Sequence, residues 1–163
     1  MIKAITLSKN TVIKVIFTIL TVLLTLFIWL HSLTPAEQSS EESDFVLEFV
    51  NSILNNININ ANISSFIVRK AAHFLEFTAL GLFVTATATR YEPNIKKCIF
   101  HILFILLAVP VTDEALQYLA PERSPQISDV LLNFSGCITG LLLTVILLWI
   151  IKTLKNKKGL KGM

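Results

Sequence analysis

The stretch 129-DVLLNFSGCITGLLLTVILLWII-151 has no charged residue after its first position. A helix rises 1.5 Å per residue, so about 20 mostly apolar residues cross the ~30 Å hydrocarbon layer of a bilayer. This stretch is long enough, and three others match it. Residues 12–30 (VIKVIFTILTVLLTLFIWL) are uncharged after Lys14. A cleavable signal peptide is the rival reading of such a run, but the stretch is long for one. Leu33, Thr34 and Pro35 also make a poor cleavage site, so the helix is expected to stay. Residues 65–89 form a further span despite Arg69, Lys70, His73 and Glu76 in their first half. The last runs over 98–119: it is uncharged to Thr112, continues through Asp113 and Glu114, and is stopped by Pro121.

The composition agrees. Hydrophobic residues make up 53% of the chain and charged ones 15%, whereas a soluble domain carries roughly a quarter charged. A water-soluble globule and a disordered chain are both excluded. Two cysteines are too few for a disulfide scaffold, and no internal repeat is present. The fold class is therefore all-α, an integral membrane four-helix bundle forming a single domain over residues 1–163. A short amphipathic helix is expected in the first extracytoplasmic loop, where Phe45, Phe49 and Ile53 recur at helical spacing beside Val46, Val50 and Leu54. The asparagine-rich run that follows, to Asn62, should end it.

Lysine and arginine in the short flanking segments set the orientation. Lys3, Lys9 and Lys14 lie in the N-terminal segment, while the loop after the first span is acidic, with Glu37, Glu41, Glu42, Asp44 and Glu48. Arg90, Lys96 and Lys97 lie in the next turn, only Arg123 in the one after, and Lys152, Lys155, Lys157, Lys158 and Lys161 in the tail. The alternation puts both termini in the cytoplasm. The basic tail reads as an anchor to the inner leaflet rather than a nucleic-acid site.

Ionisable groups within a span are costly and mark function by default. Arg69, His73 and Glu76 share one helical face, with Lys70 beside it. Asp113 and Gln117 are one turn apart, with Glu114 alongside. Ser128 is placed to cap the last helix, with Asp129 near the positive end of its dipole and Asn133 one turn further on. Gly136 and Gly140 then give a small-xxx-small spacing that permits close helix packing. The topology brings Arg69, Lys70, His73, Glu76, Asp113, Glu114, Gln117, Arg123, Asp129 and Asn133 to the outer leaflet. Two readings follow: a largely self-neutralising ion-pair network that fixes helix register, or a polar pocket open to the outside. His31 and His101 stand apart in the sequence and read as packed or interfacial residues. Phe100, Phe104, Trp29 and Trp149 read as lipid-facing or interfacial anchors.

Three of these segments together resemble the signatures of the VanZ-like membrane proteins. The first is Arg69-Lys70-Ala71-Ala72-His73-Phe74-Leu75-Glu76-Phe77, with Leu80 and Gly81 after it. Asp113-Glu114-Ala115-Leu116-Gln117 resembles the second. Arg123 through Val130, then Asn133, Gly136 and Gly140, resembles the third. Phe77 departs from the pattern, a tyrosine being frequent there. The resemblance implies a membrane protein of four to five helices, mainly from Gram-positive bacteria, whose founding members are associated with resistance to the glycopeptide teicoplanin.

Three function classes remain. An outer-leaflet pocket with Arg69, Lys70 and Arg123 suits an anionic lipid headgroup, a cell-wall lipid precursor or the carboxylate of a glycopeptide antibiotic. An intramembrane acid/base or metal-dependent enzyme would use His73 with Glu76, Asp113 and Glu114, but HExxH and other protease or phosphatase motifs are missing, so catalysis ranks second. A scaffold would use the Gly136 and Gly140 face to hold another membrane protein. The partners expected are membrane lipids, with no nucleic acid, no cofactor and no bound metal. A homo-oligomer is compatible with so small a bundle.

Overall fold

A computed structural model describes residues 8–56 and 63–160, with side chains described up to residue 157. Lys3 and Lys161, the side chain of Lys158 and most of the asparagine-rich run lie outside the described residues. The elements are α1 (Lys9–Ser32), α2 (Ala36–Asn56), α3 (Ser65–Tyr91), α4 (Ile95–Leu116), a single 3-10 turn (Gln117–Leu119) and α5 (Ile127–Leu160). Among the described residues there is no strand. Helices α1, α3, α4 with its 3-10 turn, and α5 are each long and apolar enough to cross a membrane.

Local chemistry sets the helix ends. Ser8 and Ser64 each accept a backbone N–H of the first turn, capping α1 and α3, and Asn94 does the same for α4. Ser128 does not cap α5. The helix starts earlier, with the Gln126 carbonyl accepting from Asp129 N at 2.9 Å, so Ser128 lies inside the first turn. The Ser128 hydroxyl instead lies within reach of the side chains of Gln126 and Asp129, 3.3 Å from each. Helix α2 is also longer than the predicted short helix, because it starts directly after Pro35. It buries Ser39 and Ser43 against the bundle, while Phe45 and Phe49 point away, 75% and 63% exposed.

The bundle centres on α3, which packs most extensively on α5. Its core holds Phe77, Leu80, Val84, Ile102, Leu106, Cys137 and Leu141. The α3–α5 seam is a meeting of backbones. A Cβ on Gly140 would lie 2.1 Å from the Thr78 carbonyl oxygen, and one on Gly81 would lie 2.1 Å from that of Cys137. At Gly136 the Phe74 oxygen would be 2.5 Å away. The small-residue face of α5 is thus covered by α3 of the same chain and is not free to hold another protein. Helix α1 is tied on by hydroxyls: Thr21 Oγ1 meets Thr87 Oγ1 at 2.8 Å, and Thr87 donates to the Phe17 carbonyl at 3.2 Å. Trp29 is half-buried rather than facing lipid, its Nε1 donating to the Val109 carbonyl at 3.4 Å.

Much of the remaining surface is apolar, with Leu23, Phe27, Phe100, Phe104, Leu147 and Trp149 all exposed. Water would not tolerate so large a continuous patch, and lipid does.

Candidate functional site

Because α1 and α4 end where α3 and α5 begin, one end of the bundle collects polar side chains from every helix. The deepest layer comes from α4 and α5. Asp113 is fully buried, and Glu114, Gln117 and Asn133 nearly so. Asn133 Nδ2 donates to Asp113 Oδ2 at 3.5 Å, and Ser32 Oγ donates to the Asp113 backbone carbonyl at 3.0 Å. Gln117 Nε2 donates to Glu114 Oε2 at 3.3 Å, while the backbone N–H of Gln126 donates to Glu114 Oε1 at 2.6 Å. Glu114 thereby holds the start of α5. Asp113 Oδ1 and Asn133 Oδ1 have no hydrogen-bond partner among the described residues.

Above this layer lies a cavity of about 210 Å³ lined by Arg69, Lys70, His73, Gln117, Glu122, Arg123 and Asp129, among others. Lys70 pairs with Asp129, joining α3 to α5. Of the two readings, the self-neutralising network is otherwise not formed among the described residues. Among the described residues neither Arg69 nor Arg123 has a carboxylate at ion-pair distance, and neither Asp113 nor Glu114 has a cation. The physical reason is depth: the carboxylates of α4 point into the core, whereas both arginines stay near the mouth. Arg69 lies over the Phe66 ring, 5.9 Å from its centroid. Arg123 donates from Nε to the Thr34 carbonyl at 3.1 Å and from Nη2 to Thr34 Oγ1 at 3.4 Å. Burial, together with nearby Arg69, pulls the Arg123 guanidinium below its ordinary pKa, and it remains charged.

The loop carrying Arg123 is shaped by a tight turn. Pro121 and Glu122 are its central residues, closed by Arg123 N to the Ala120 carbonyl at 3.4 Å, and Glu122 has φ 59°. Proline followed by a residue with positive φ defines a type II turn, where glycine is usual at the second position. The turn is fastened to the start of α2 by Ala36 N donating to the Pro121 carbonyl at 3.4 Å.

His31 corrects the sequence reading. It is not isolated: Nε2 donates to Glu42 Oε2 at 3.1 Å, Nδ1 stands 3.6 Å from Glu76 Oε1, and its ring stacks on His73 at 6.4 Å. Glu76 therefore faces this histidine pair, 3.9 Å from His73 Nδ1, and not the cavity. Sequence reasoning missed His31, Glu42, Thr34 and Glu122. Only the position of His31 at the end of a span hinted at its part. Among the described residues no group of three or more His, Cys, Asp or Glu is spaced to hold a metal ion.

The His31–Glu42 contact predicts a pH dependence. The hydrogen bond from His31 holds the Glu42 carboxyl below its ordinary range. A depressed folded pKa gives a contact that is intact at neutral pH and lost as pH falls through that lowered value. Amide exchange in α2 should therefore rise only in acid, below the ordinary carboxylate range, and Glu42→Gln should remove the step. A step that survives unchanged in the variant would contradict this assignment.

Comparison with known proteins agrees with the geometry. A family model described as VanZ/LLP1 matches residues 17–149. No curated protein and no solved structure matches the chain. The matched stretch takes in both cavity arginines, the buried carboxylates and all three seam glycines, and this membrane protein belongs to the VanZ/LLP1 family.

Proposed function

We propose that the cavity binds an anionic group at the extracytoplasmic face of the cell membrane: a lipid headgroup, or the carboxylate of a lipoglycopeptide such as teicoplanin. One observation carries the reading: Arg69 and Arg123 line the 210 Å³ cavity without a carboxylate partner among the described residues. A guanidinium held near a half-buried cavity and left unpaired is costly, and an anion that grips it bidentately relieves that cost. Lys9 and Lys14 in the first turns of α1 and Lys152, Lys155, Lys157 and Lys158 in the last turns of α5 support both termini lying in the cytoplasm, which would turn the cavity outward. Resistance in a Gram-positive bacterium would then follow from altering how the drug or a cell-wall lipid precursor sits at the outer surface. The family resemblance supports this step.

Native mass spectrometry of the detergent-solubilised protein tests the reading, with phosphatidylglycerol and phosphatidylcholine in competition. The anionic lipid should be retained preferentially. Arg69→Ala should cut the preference about tenfold, the effect of one lost charge-assisted contact. In cells carrying the protein, the same variant should lose teicoplanin resistance while still inserting. Equal retention of both lipids by the unaltered protein would defeat the proposal.

A further inference from the structure

A second, larger cavity of about 500 Å³ lies between α2 and α3, beside the polar one. Its walls are mostly apolar, built from Val46 and Val50 of α2 and from Ile67, Val68, Ala72 and Leu75 of α3. Arg69 and His73 line both cavities, so the two lie back to back across the first turns of α3. The groove is open because α2 docks only through its first half. Ser39 and Ser43 are buried against the bundle, whereas the second half turns Phe45, Phe49 and Ile53 outward. Those exposed side chains are the apolar face of an interfacial helix, which would lay the groove at the level of the lipid. Alanine at 72 in place of a larger residue leaves the wall hollow.

A charged cavity and an apolar trough that share Arg69 fit the two ends of one amphiphile. We propose that the α2–α3 groove holds one acyl chain of the membrane lipid whose anionic headgroup occupies the polar cavity. This rests on the headgroup reading above and adds a chain site to it. The occupant is an anionic diacyl lipid and not a protein segment. The trough offers almost no polar wall to satisfy a backbone, and a hydrocarbon chain needs none. Of its polar groups, His31, Glu42 and Glu76 are occupied with one another, Ser43 donates to the Ser39 carbonyl, and Arg69 is shared with the polar cavity.

The test uses the full-length protein in phosphatidylcholine vesicles containing phosphatidylglycerol with a photoreactive diazirine on one acyl chain. Cross-links mapped by mass spectrometry should concentrate on Val46, Val50, Ala72 and Leu75. Ala72→Trp, an exposed position where a larger side chain fits without disturbing the core, should lower them about tenfold by filling the trough. Cross-links spread evenly over the lipid-facing surfaces of α1 and α5, and unaltered by Ala72→Trp, would overturn the groove, even with the phosphatidylglycerol preference intact. Groove labelling of equal strength from a matching phosphatidylcholine probe would overturn the pairing instead, by removing the headgroup reading beneath it.

Discussion

Gly140→Leu should abolish folding, and Gly140→Ala should cost about 3 kcal/mol, the upper end of the overpacking range. The methyl of alanine would sit 2.1 Å from the Thr78 oxygen, 2.6 Å from Leu82 N and 2.9 Å from the Gly81 carbonyl carbon. All three are backbone atoms, so no rotamer change relieves the clash. Helix α3 must move away from α5, and the move is opposed on the same seam by Gly81, which lies against the Cys137 carbonyl. Separation opens voids beside Phe77, Leu80, Cys137 and Leu141, adding a cavity cost to the steric one. Against a typical stability of about 5–15 kcal/mol this is a large fraction. Thermal unfolding in micelles, followed by circular dichroism and size-exclusion, measures it. Leu142→Ala, at a lipid-facing position 52% exposed, serves as a control with little effect. A Gly140→Leu protein that melts like the unaltered one would show that the seam is not as close as described.

Arg123→Ala should weaken binding of an anionic lipid about a hundredfold, more than Arg69→Ala, because two losses coincide. The cavity loses a cation, and the α4–α5 loop loses its two bonds to Thr34. A hydrogen bond from a charged group contributes about 1.5–3 kcal/mol, and a hundredfold change is about 2.7 kcal/mol. Arg123→Lys restores the charge without the planar fork, so it should recover less than tenfold of the loss. Hydrogen exchange separates the two contributions. Arg123→Ala should raise exchange at the start of α2, where Ala36 N is bonded to Pro121, and Arg69→Ala should not. Full recovery by lysine would reduce the role of Arg123 to simple charge.

Most of the fold was legible in the sequence because lipid imposes a length and a composition on anything that crosses it. The four spans and the Gly136 and Gly140 pair are read from apolar runs and spacing, whereas Gly81 is marked only by the family resemblance. Helix α2 was read too short, since the periodicity of Phe45, Phe49 and Ile53 marks only the half that faces outward. Its docked half is polar, and Ser39 and Ser43 give no hydrophobic signal. The carboxylates and arginines could be named one by one, but not how they pair. Pairing depends on depth along each helix to within a few ångströms, which puts Asp129 beside Lys70 and leaves Arg123 to a backbone carbonyl. His31 was passed over because its partners, Glu42 and Glu76, come from two different helices, and no local pattern links them.

The left-handed backbone at Glu122 has a consequence for what the cavity selects. A glycine would adopt φ 59° freely, and a side chain there costs roughly 1 kcal/mol or more. The turn sets the Glu122 carboxylate at the rim of the cavity. With Asp129 it sets two negative groups against the three positive ones of Arg69, Lys70 and Arg123. The surplus is a single positive charge, so a monovalent guest such as a phosphodiester or a lone carboxylate restores electroneutrality. A divalent phosphomonoester overshoots it, and glycine at 122 would shift discrimination by valence in favour of the dianion.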